Sequence, residues 1–143
     1  MKFKLKTLAA AAALAFAASG AQAQISGNVV KIGILNDQSS LYADLGGQGS
    51  VTAAKMAVED FKAKEKGLNV EVIFADHQNK PDVGTQIANK WIDNEGVDVI
   101  VDTPNSGVAL AVNEVVRAKN KVFINSGAAS SDLTGAKDRK SVV

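Results

Sequence analysis

Four short apolar segments alternate with three amphipathic segments along this chain, and each apolar segment ends in a polar loop. Apolar side chains run almost without interruption through the four segments, as is typical of strands covered on both faces. Alternation of such strands with helices favours a parallel sheet with a helix in each crossover. The sequence therefore predicts an α/β fold with a doubly wound parallel sheet, with strands at Val29–Leu35, Asn69–Ala75, Val97–Val101 and Lys121–Asn125.

The segments between these strands carry apolar residues at helical spacing. They predict helices at Ser50–Lys64, Pro81–Asn94 and Ser106–Ala118. The buried face of the first helix is predicted to carry Val51, Ala54, Val58 and Phe61. The buried face of the second is predicted to carry Val83, Ile87, Trp91 and Ile92. We interpret Met56 and Phe61 as core residues rather than as ligand contacts.

Polar loops follow all four predicted strands, and they should lie together because the carboxyl ends of parallel strands meet at one edge. Ligands of such sheets bind at that edge, where the strand order reverses. Before the third helix, Asn105 and Ser106 could join the free N–H groups and positive dipole of the helix in binding a small carboxylate. The alternative is that they only cap the helix. Tyr42, in the loop after the first strand, could pack against the organic part of a ligand.

The sequence lacks the motifs of common enzyme classes. Gly47 and Gly49 do not form a dinucleotide fingerprint, and no phosphate-binding Gly-Lys-Ser/Thr sequence is present. The chain has no cysteine and one histidine, His77, which we interpret as a structural loop residue rather than a metal ligand. Asp76 and Asp102, placed at the ends of neighbouring strands, could form an acid–base pair, but capping of the strand ends is the favoured interpretation. We therefore expect no catalytic residue, no metal and no cofactor.

The first 23 residues have the pattern of a secretory signal peptide. Three lysines precede an apolar run from Leu8 to Ala18, and an Ala-x-Ala site ends at Ala23. A buried N-terminal helix is the alternative. Cleavage after Ala23 would leave 13 basic and 15 acidic groups, and this balance argues against a nucleic acid partner. With no cysteine to carry a lipid, we expect a soluble protein in a bacterial periplasm.

The last residues, 138–143, have a different character. They show no apolar period, and they match one translated frame of a common sequencing adapter. We predict that this tail is not native and that the reading frame is truncated there. The alternative is an irregular natural C-terminus.

Four segments together resemble one known family, and they occur along the chain in the family's order. They are Lys31 to Ser40, Ala54 to Phe61, Phe74 to Asp82 and Ser126 to Thr134. They are similar to the leucine/isoleucine/valine-binding family of periplasmic solute-binding proteins of ABC transporters. The resemblance implies a type I periplasmic binding fold, in which two α/β lobes joined by a hinge close over one ligand. Residues 24–137 would form the N-terminal lobe.

The resemblance also implies which residues contact the ligand. By analogy with the family, Ser106 would bind the ligand carboxylate. The loop after the fourth strand would contribute Gly127, Ala128 and Ser130. Tyr42 or Leu45 would pack on the ligand's organic part. Ser130 stands where many amino-acid binders have threonine, so the resemblance leaves open whether the ligand is an amino acid or a plain carboxylic acid.

Three functions are compatible with these observations. The first is a periplasmic receptor of an ABC importer, which captures branched-chain amino acids or related small carboxylates and delivers them to permease subunits in the inner membrane. The second is a ligand-sensing receptor or regulator lobe of the same fold. The third, an exported α/β enzyme, would need a nucleophile or acid–base pair that the sequence does not show. We expect the 143-residue chain to bind ligand poorly, because the family's hinge and second lobe are missing from it.

Overall fold

The computed structural model describes residues 28 to 138. Its strands are β1 (Val29–Asn36), β2 (Asn69–Asp76), β3 (Val99–Asp102) and β4 (Val122–Asn125). Its helices are α1 (Gly47–Phe61), α2 (Pro81–Asn94) and α3 (Ser106–Ala118), and a short 3-10 turn spans Ala63–Lys66. The predicted signal peptide, and the predicted tail after its first residue, lie outside the described residues.

The four strands form one parallel sheet in the order β2-β1-β3-β4, which confirms the predicted α/β class. Strand β2 lies on one side of β1, whereas β3 and then β4 lie on its other side. The strand order therefore reverses between β1 and β3. In sheets of this kind, the loop after β1 and the loop after β3 run in opposite directions, and a crevice forms between them beyond the carboxyl ends of the strands.

Helices α2 and α3 have the predicted bounds, whereas α1 begins and ends earlier than predicted. Pro81 occupies the first turn of α2, where its missing N–H and fixed φ are tolerated. Helix α1 stops at Phe61 because Lys62 adopts a left-handed conformation, with φ of 53°, which starts the 3-10 turn. No helix within residues 28–138 is long and apolar enough to cross a lipid bilayer.

The main core lies on the sheet face that α2 and α3 cover. Its fully buried members include Leu35, Ile100, Val108, Val112, Val116 and Phe123. Trp91 of α2 packs directly on Gly33 of β1, where an added Cβ would lie 2.6 Å from two ring carbons. Because Gly33 has no Cβ, the indole can contact the strand closely, and α2 is thereby brought near the sheet.

Within the described part of the chain, α1 is the one helix that lies over the opposite sheet face, and here the predicted core is partly wrong. Val51 is buried, but Met56 and Phe61 are 56% and 53% exposed. The helix is covered at its first turn and increasingly open toward its last. Phe61 lies beside an apolar groove of about 520 Å³ between α1 and the sheet. The Lys66 ammonium lies over the Phe61 ring, 5.2 Å from the ring centroid.

Candidate ligand-binding site

A cavity of about 200 Å³ opens beyond the carboxyl ends of β1, β3 and β4. Its wall consists of Tyr42, Leu45, Gly46, Ser50, Asp102, Pro104, Ser126 and Gly127. These residues come from the loop after β1, the first turn of α1, and the segments that follow β3 and β4. The cavity therefore lies at the reversal of strand order, the position that the parallel topology favours for a ligand.

Asp37 holds the first of these loops. Its carboxylate accepts hydrogen bonds from the backbone N–H groups of Ser40 at 3.0 Å and Tyr42 at 2.9 Å, and from the Ser40 hydroxyl at 2.6 Å. Burial alone would raise the pKa of Asp37, but the hydrogen bonds from Ser40, Tyr42 and Ser39 outweigh it and hold that pKa below its ordinary value. The backbone of Tyr42 is thus fixed by a fully buried carboxylate.

Asp76, at the end of β2, fixes the same loop from the other side. It accepts hydrogen bonds from the Gln38 backbone N–H at 3.0 Å and from the Ser39 hydroxyl at 2.5 Å. Burial tends to raise the pKa of Asp76, and the hydrogen bonds from Gln38, Ser39 and Gln78 lower it below its ordinary value. The loop after β1 is therefore held by two carboxylates rather than by a hydrophobic core of its own.

The end of β3 has an unusual backbone. Asp102 and Thr103 have φ of 84° and 63°, in the left-handed region that residues other than glycine rarely adopt. The Asn125 side chain donates hydrogen bonds to the carbonyls of Asp102 and Thr103, at 2.9 and 2.8 Å. The Thr103 hydroxyl donates to the Leu35 carbonyl at 2.9 Å. Such strain concentrates at functional sites, and here it accompanies a side chain, that of Asp102, on the cavity wall.

The Asp102 carboxylate joins the segments that surround the cavity. One of its oxygens accepts a hydrogen bond from the Asn36 amide at 3.2 Å, and the other accepts one from the Ser126 hydroxyl at 2.6 Å. Its side chain lies next to Gly46, where an added Cβ would be 3.4 Å from the carboxylate and 2.9 Å from the Ser50 hydroxyl. The ends of β1, β3 and β4 are thus tied together at one acidic group, which is only 7% exposed.

The predicted anion site at the start of α3 has a capped geometry. The Asn105 side-chain oxygen accepts a hydrogen bond from the Val108 backbone N–H at 2.9 Å, so Asn105 caps the helix. The Ser106 hydroxyl accepts one from the Ala129 backbone N–H at 3.2 Å and connects α3 to the loop after β4. Neither residue is part of the cavity wall described above. Their contact with a ligand stays a prediction.

The three predicted residues after β4 differ in position. Gly127 lines the cavity, and an added Cβ there would meet Pro104 at 3.2 Å. Ala128 packs partly against the core, and its N–H donates to the Asn125 side chain at 2.8 Å. The Ser130 hydroxyl accepts the Asp132 N–H at 3.3 Å. Of these three predicted residues only Gly127 lies on the cavity wall.

The structure thus brings three of the residues predicted to contact a ligand, Tyr42, Leu45 and Gly127, together around one cavity, and their contact with a ligand stays a prediction. It adds residues that were not predicted to bind a ligand, namely Gly46, Ser50, Asp102, Pro104 and Ser126. The sequence contained one signal for two of them, because Asp102 and Ser126 stand where strands end. Leu45, 79% exposed, extends from the loop into open space.

The structure contradicts the placement that would let Asp76 and Asp102 act as an acid–base pair. Their strands are not neighbours, because β1 lies between β2 and β3.

His77 is fully buried, and its Nδ1 accepts the Asn79 backbone N–H at 3.0 Å. Burial lowers the pKa of His77, although Asp37, Asp76 and Asp102 oppose the shift. Among residues 28–138 no cluster of three His, Cys, Asp or Glu side chains could hold a metal ion.

Comparison with known proteins identifies relatives of this structure. A family model described as periplasmic binding protein matches residues 29–143. The chain is 44% identical to a periplasmic binding protein from Burkholderia mallei, with a TM-score of 0.78, over 82% of this chain and 32% of that one. No curated protein matches the chain.

Two further solved structures are similar. One is a branched-chain amino acid ABC transporter periplasmic ligand-binding protein from Burkholderia xenovorans, 45% identical, with a TM-score of 0.71, over 74% of this chain and 28% of that one. The other is an ABC transporter solute-binding protein from R. palustris in complex with benzoate, 27% identical, with a TM-score of 0.72, over 80% and 31%. The chain thus spans about a third of the length of these relatives.

Proposed function

Since this chain belongs to the periplasmic binding protein family, we propose that it supplies the N-terminal lobe of a solute-binding protein that serves an ABC importer. The observation that carries the proposal is the cavity between the loops after β1, β3 and β4. It lies at the reversal of strand order, and its wall combines apolar groups with hydrogen-bonding groups, as small-molecule sites do. The lobe would form one wall of a cleft, and a second lobe would form the other.

The lining of the cavity supports a small organic acid as the ligand. Tyr42 and Leu45 offer an aromatic and an aliphatic surface for the apolar part of such a molecule. Outside the cavity wall, the Val108 N–H of α3 is bonded to Asn105, but the positive end of the helix dipole still favours a carboxylate near Ser106. Of the relatives named above, one is assigned to branched-chain amino acid transport and one is bound to benzoate. Both kinds of ligand combine a carboxylate with an apolar part.

The same membership supports a periplasmic location and ABC permease subunits as the partners of the full-length protein. It also supports a receptor that releases its ligand unchanged, because the relatives named above are binding proteins rather than enzymes. A cavity of about 200 Å³ with one open side would leave much of a leucine-sized ligand in water. We therefore propose that tight binding needs a second lobe in addition to the residues of this chain.

A thermal shift screen tests this proposal. The full-length protein that contains this chain and the 143-residue chain would be heated separately with branched-chain amino acids, benzoates and aliphatic acids. A ligand at a hundredfold excess over its dissociation constant stabilises the folded state by about 2.7 kcal/mol. We expect such a shift for the full-length protein and a much smaller one for the short chain. The proposal is wrong if no small acid stabilises the full-length protein.

A further inference from the structure

We propose that Asp102 is the acceptor for a hydrogen-bond donor on the ligand, an ammonium or a hydroxyl group, and that it thereby selects against acids that lack one. This inference rests on the proposed function, since it assigns a ligand contact within the same cavity. Asp102 lines that cavity and is 7% exposed, so its free acceptor capacity faces a confined space rather than bulk water.

Two neighbouring side chains, those of Asn36 and Ser126, donate to Asp102, and the Ser50 hydroxyl lies on the same cavity wall. The Asn36 amide donates one proton to the Gly47 carbonyl at 2.7 Å and the other to Asp102 at 3.2 Å. The reverse orientation of that amide would set its oxygen against two other acceptors, so the two contacts fix it. The Ser126 hydroxyl has a single proton, which it donates to Asp102 at 2.6 Å. Neither neighbour has a proton left for a ligand.

Asp102 is also short of positive partners. None of the ion pairs found among residues 28–138 includes it. A carboxylate can accept about four hydrogen bonds, and the two neutral donors described above fill only part of this capacity. A buried carboxylate needs hydrogen-bond donors or a positive charge to compensate for its burial. A ligand ammonium or hydroxyl would supply the further donor that the Asp102 carboxylate can accept. A ligand carboxylate at the same place would be repelled.

The backbone of Asp102 supports a role beyond connecting the loops. Its φ of 84° is a conformation that a non-glycine residue keeps only where the surrounding structure enforces it. The hydrogen bonds from Asn125 enforce it, and they hold the carboxylate at a fixed place on the wall. The start of α3 follows only a few residues later. A ligand with a donor at one end and a carboxylate at the other, an amino acid or a hydroxylated aromatic acid, fits this arrangement of acceptor and helix N-terminus.

Titration calorimetry on the full-length protein tests the inference with two matched ligand pairs. L-leucine is compared with 4-methylpentanoate, and 4-hydroxybenzoate with benzoate, because the members of each pair differ in one donor group. The variant is Asp102→Asn, since asparagine has the same shape and tolerates positive φ. The control is Asp44→Asn, which removes the same charge from an exposed position of the loop after β1, outside the cavity wall.

In the wild type we expect the donor-bearing member of at least one pair to bind about 10- to 100-fold more tightly, as one hydrogen bond to a charged group would give. Asp102→Asn should reduce this advantage to less than about threefold while the donor-free acid binds nearly as before. Asp44→Asn should leave the advantage intact.

Several results would overturn the inference. In the wild type, equal or weaker binding of both donor-bearing acids contradicts it whether or not the variant folds. In the variant, equal weakening of both members of a pair would mean that Asp102 only connects the loops. If none of the four acids binds the wild type, the proposed function fails for this ligand class and the inference falls with it. If they bind without regard to the donor, the inference alone fails.

Discussion

Replacing Gly33 by alanine should destabilise the fold through a single contact with Trp91. The added Cβ would lie 2.6 Å from the Cε3 and Cζ3 atoms of the indole. Carbon atoms in contact are normally about 3.5–4.0 Å apart, so either the ring or the strand must move by about 1 Å. Trp91 is 4% exposed and packs within the main core, so the ring cannot move alone.

The size of the effect follows from two opposing contributions. Overpacking of a core costs about 1–3 kcal/mol, and so short a contact with a rigid ring favours the upper end of that range. Alanine is better than glycine inside a strand by about 0.5–1 kcal/mol. The net loss for Gly33→Ala should therefore be about 2 kcal/mol of unfolding free energy, or roughly 1 M in the urea midpoint for an m-value of about 2 kcal/mol/M.

Urea unfolding measured by far-UV circular dichroism provides the assay, and Gly49→Ala provides the matched control. Gly49 lies in α1, where an added Cβ would meet nothing within 4 Å. The same substitution there should stabilise the protein by up to about 1 kcal/mol, because alanine is the better helix former. In a Trp91→Leu background, which removes the ring, Gly33→Ala should cost much less than in the wild type.

A Gly33→Ala variant that unfolded at or above the wild-type urea midpoint would show that the contact with Trp91 does not limit the residue at position 33. An equal loss of stability for Gly33→Ala with and without the Trp91 ring would also rule out this contact as the cause, because the loss would then come from the strand itself. A matching loss in Gly49→Ala would show that removal of glycine is harmful in general.

Three further predictions concern other parts of the structure. Asp37→Ala removes the acceptor for the Ser40 and Tyr42 N–H groups, so these amides should exchange with deuterium at least about tenfold faster in hydrogen-exchange measurements, whereas unchanged protection would contradict the role given to Asp37. Asn105→Ala removes the cap of α3 and should lower the unfolding free energy by about 1 kcal/mol, and no loss in urea unfolding would disprove it. Because burial lowers the pKa of His77, the unfolded chain binds a proton at higher pH than the folded chain does, and the unfolding free energy should fall as the pH drops below about 6.5. In His77→Asn, whose side chain can still accept from the Asn79 N–H, this loss of stability should be smaller. An equal loss in the variant would assign the pH dependence to other groups.

Much of the fold could be predicted from sequence because its signals are local. Pro81 marks the start of α2, and the polar residues that follow each apolar segment mark the strand ends. The strand order could not be obtained in the same way, because it depends on which strands pair across the sheet. For this reason the placement of Asp76 and Asp102 on neighbouring strands was wrong. Similarly, the spacing of Phe61 identifies a helix face but not whether anything covers it.

The candidate site was predictable only in part for a related reason. Tyr42 could be assigned to it from its place in a loop that follows a strand, whereas Leu45 and Gly127 were assigned by the family resemblance. The place of Asp102 on the wall depends on a left-handed backbone that a side chain of distant Asn125 holds in place. No local pattern reports such a contact. That Asn105 caps α3 likewise depends on its bond to the Val108 N–H, while its contact with a ligand stays a prediction.

The measurement that tests the central claim most directly is a crystal structure of the full-length protein with the small acid that stabilises it best. We predict that the ligand lies between two lobes, packs on Tyr42 and contacts the segments at Asp102 and Gly127 that follow β3 and β4. A ligand bound away from the loops after β1, β3 and β4 would contradict the claim that this cavity is one wall of the binding site.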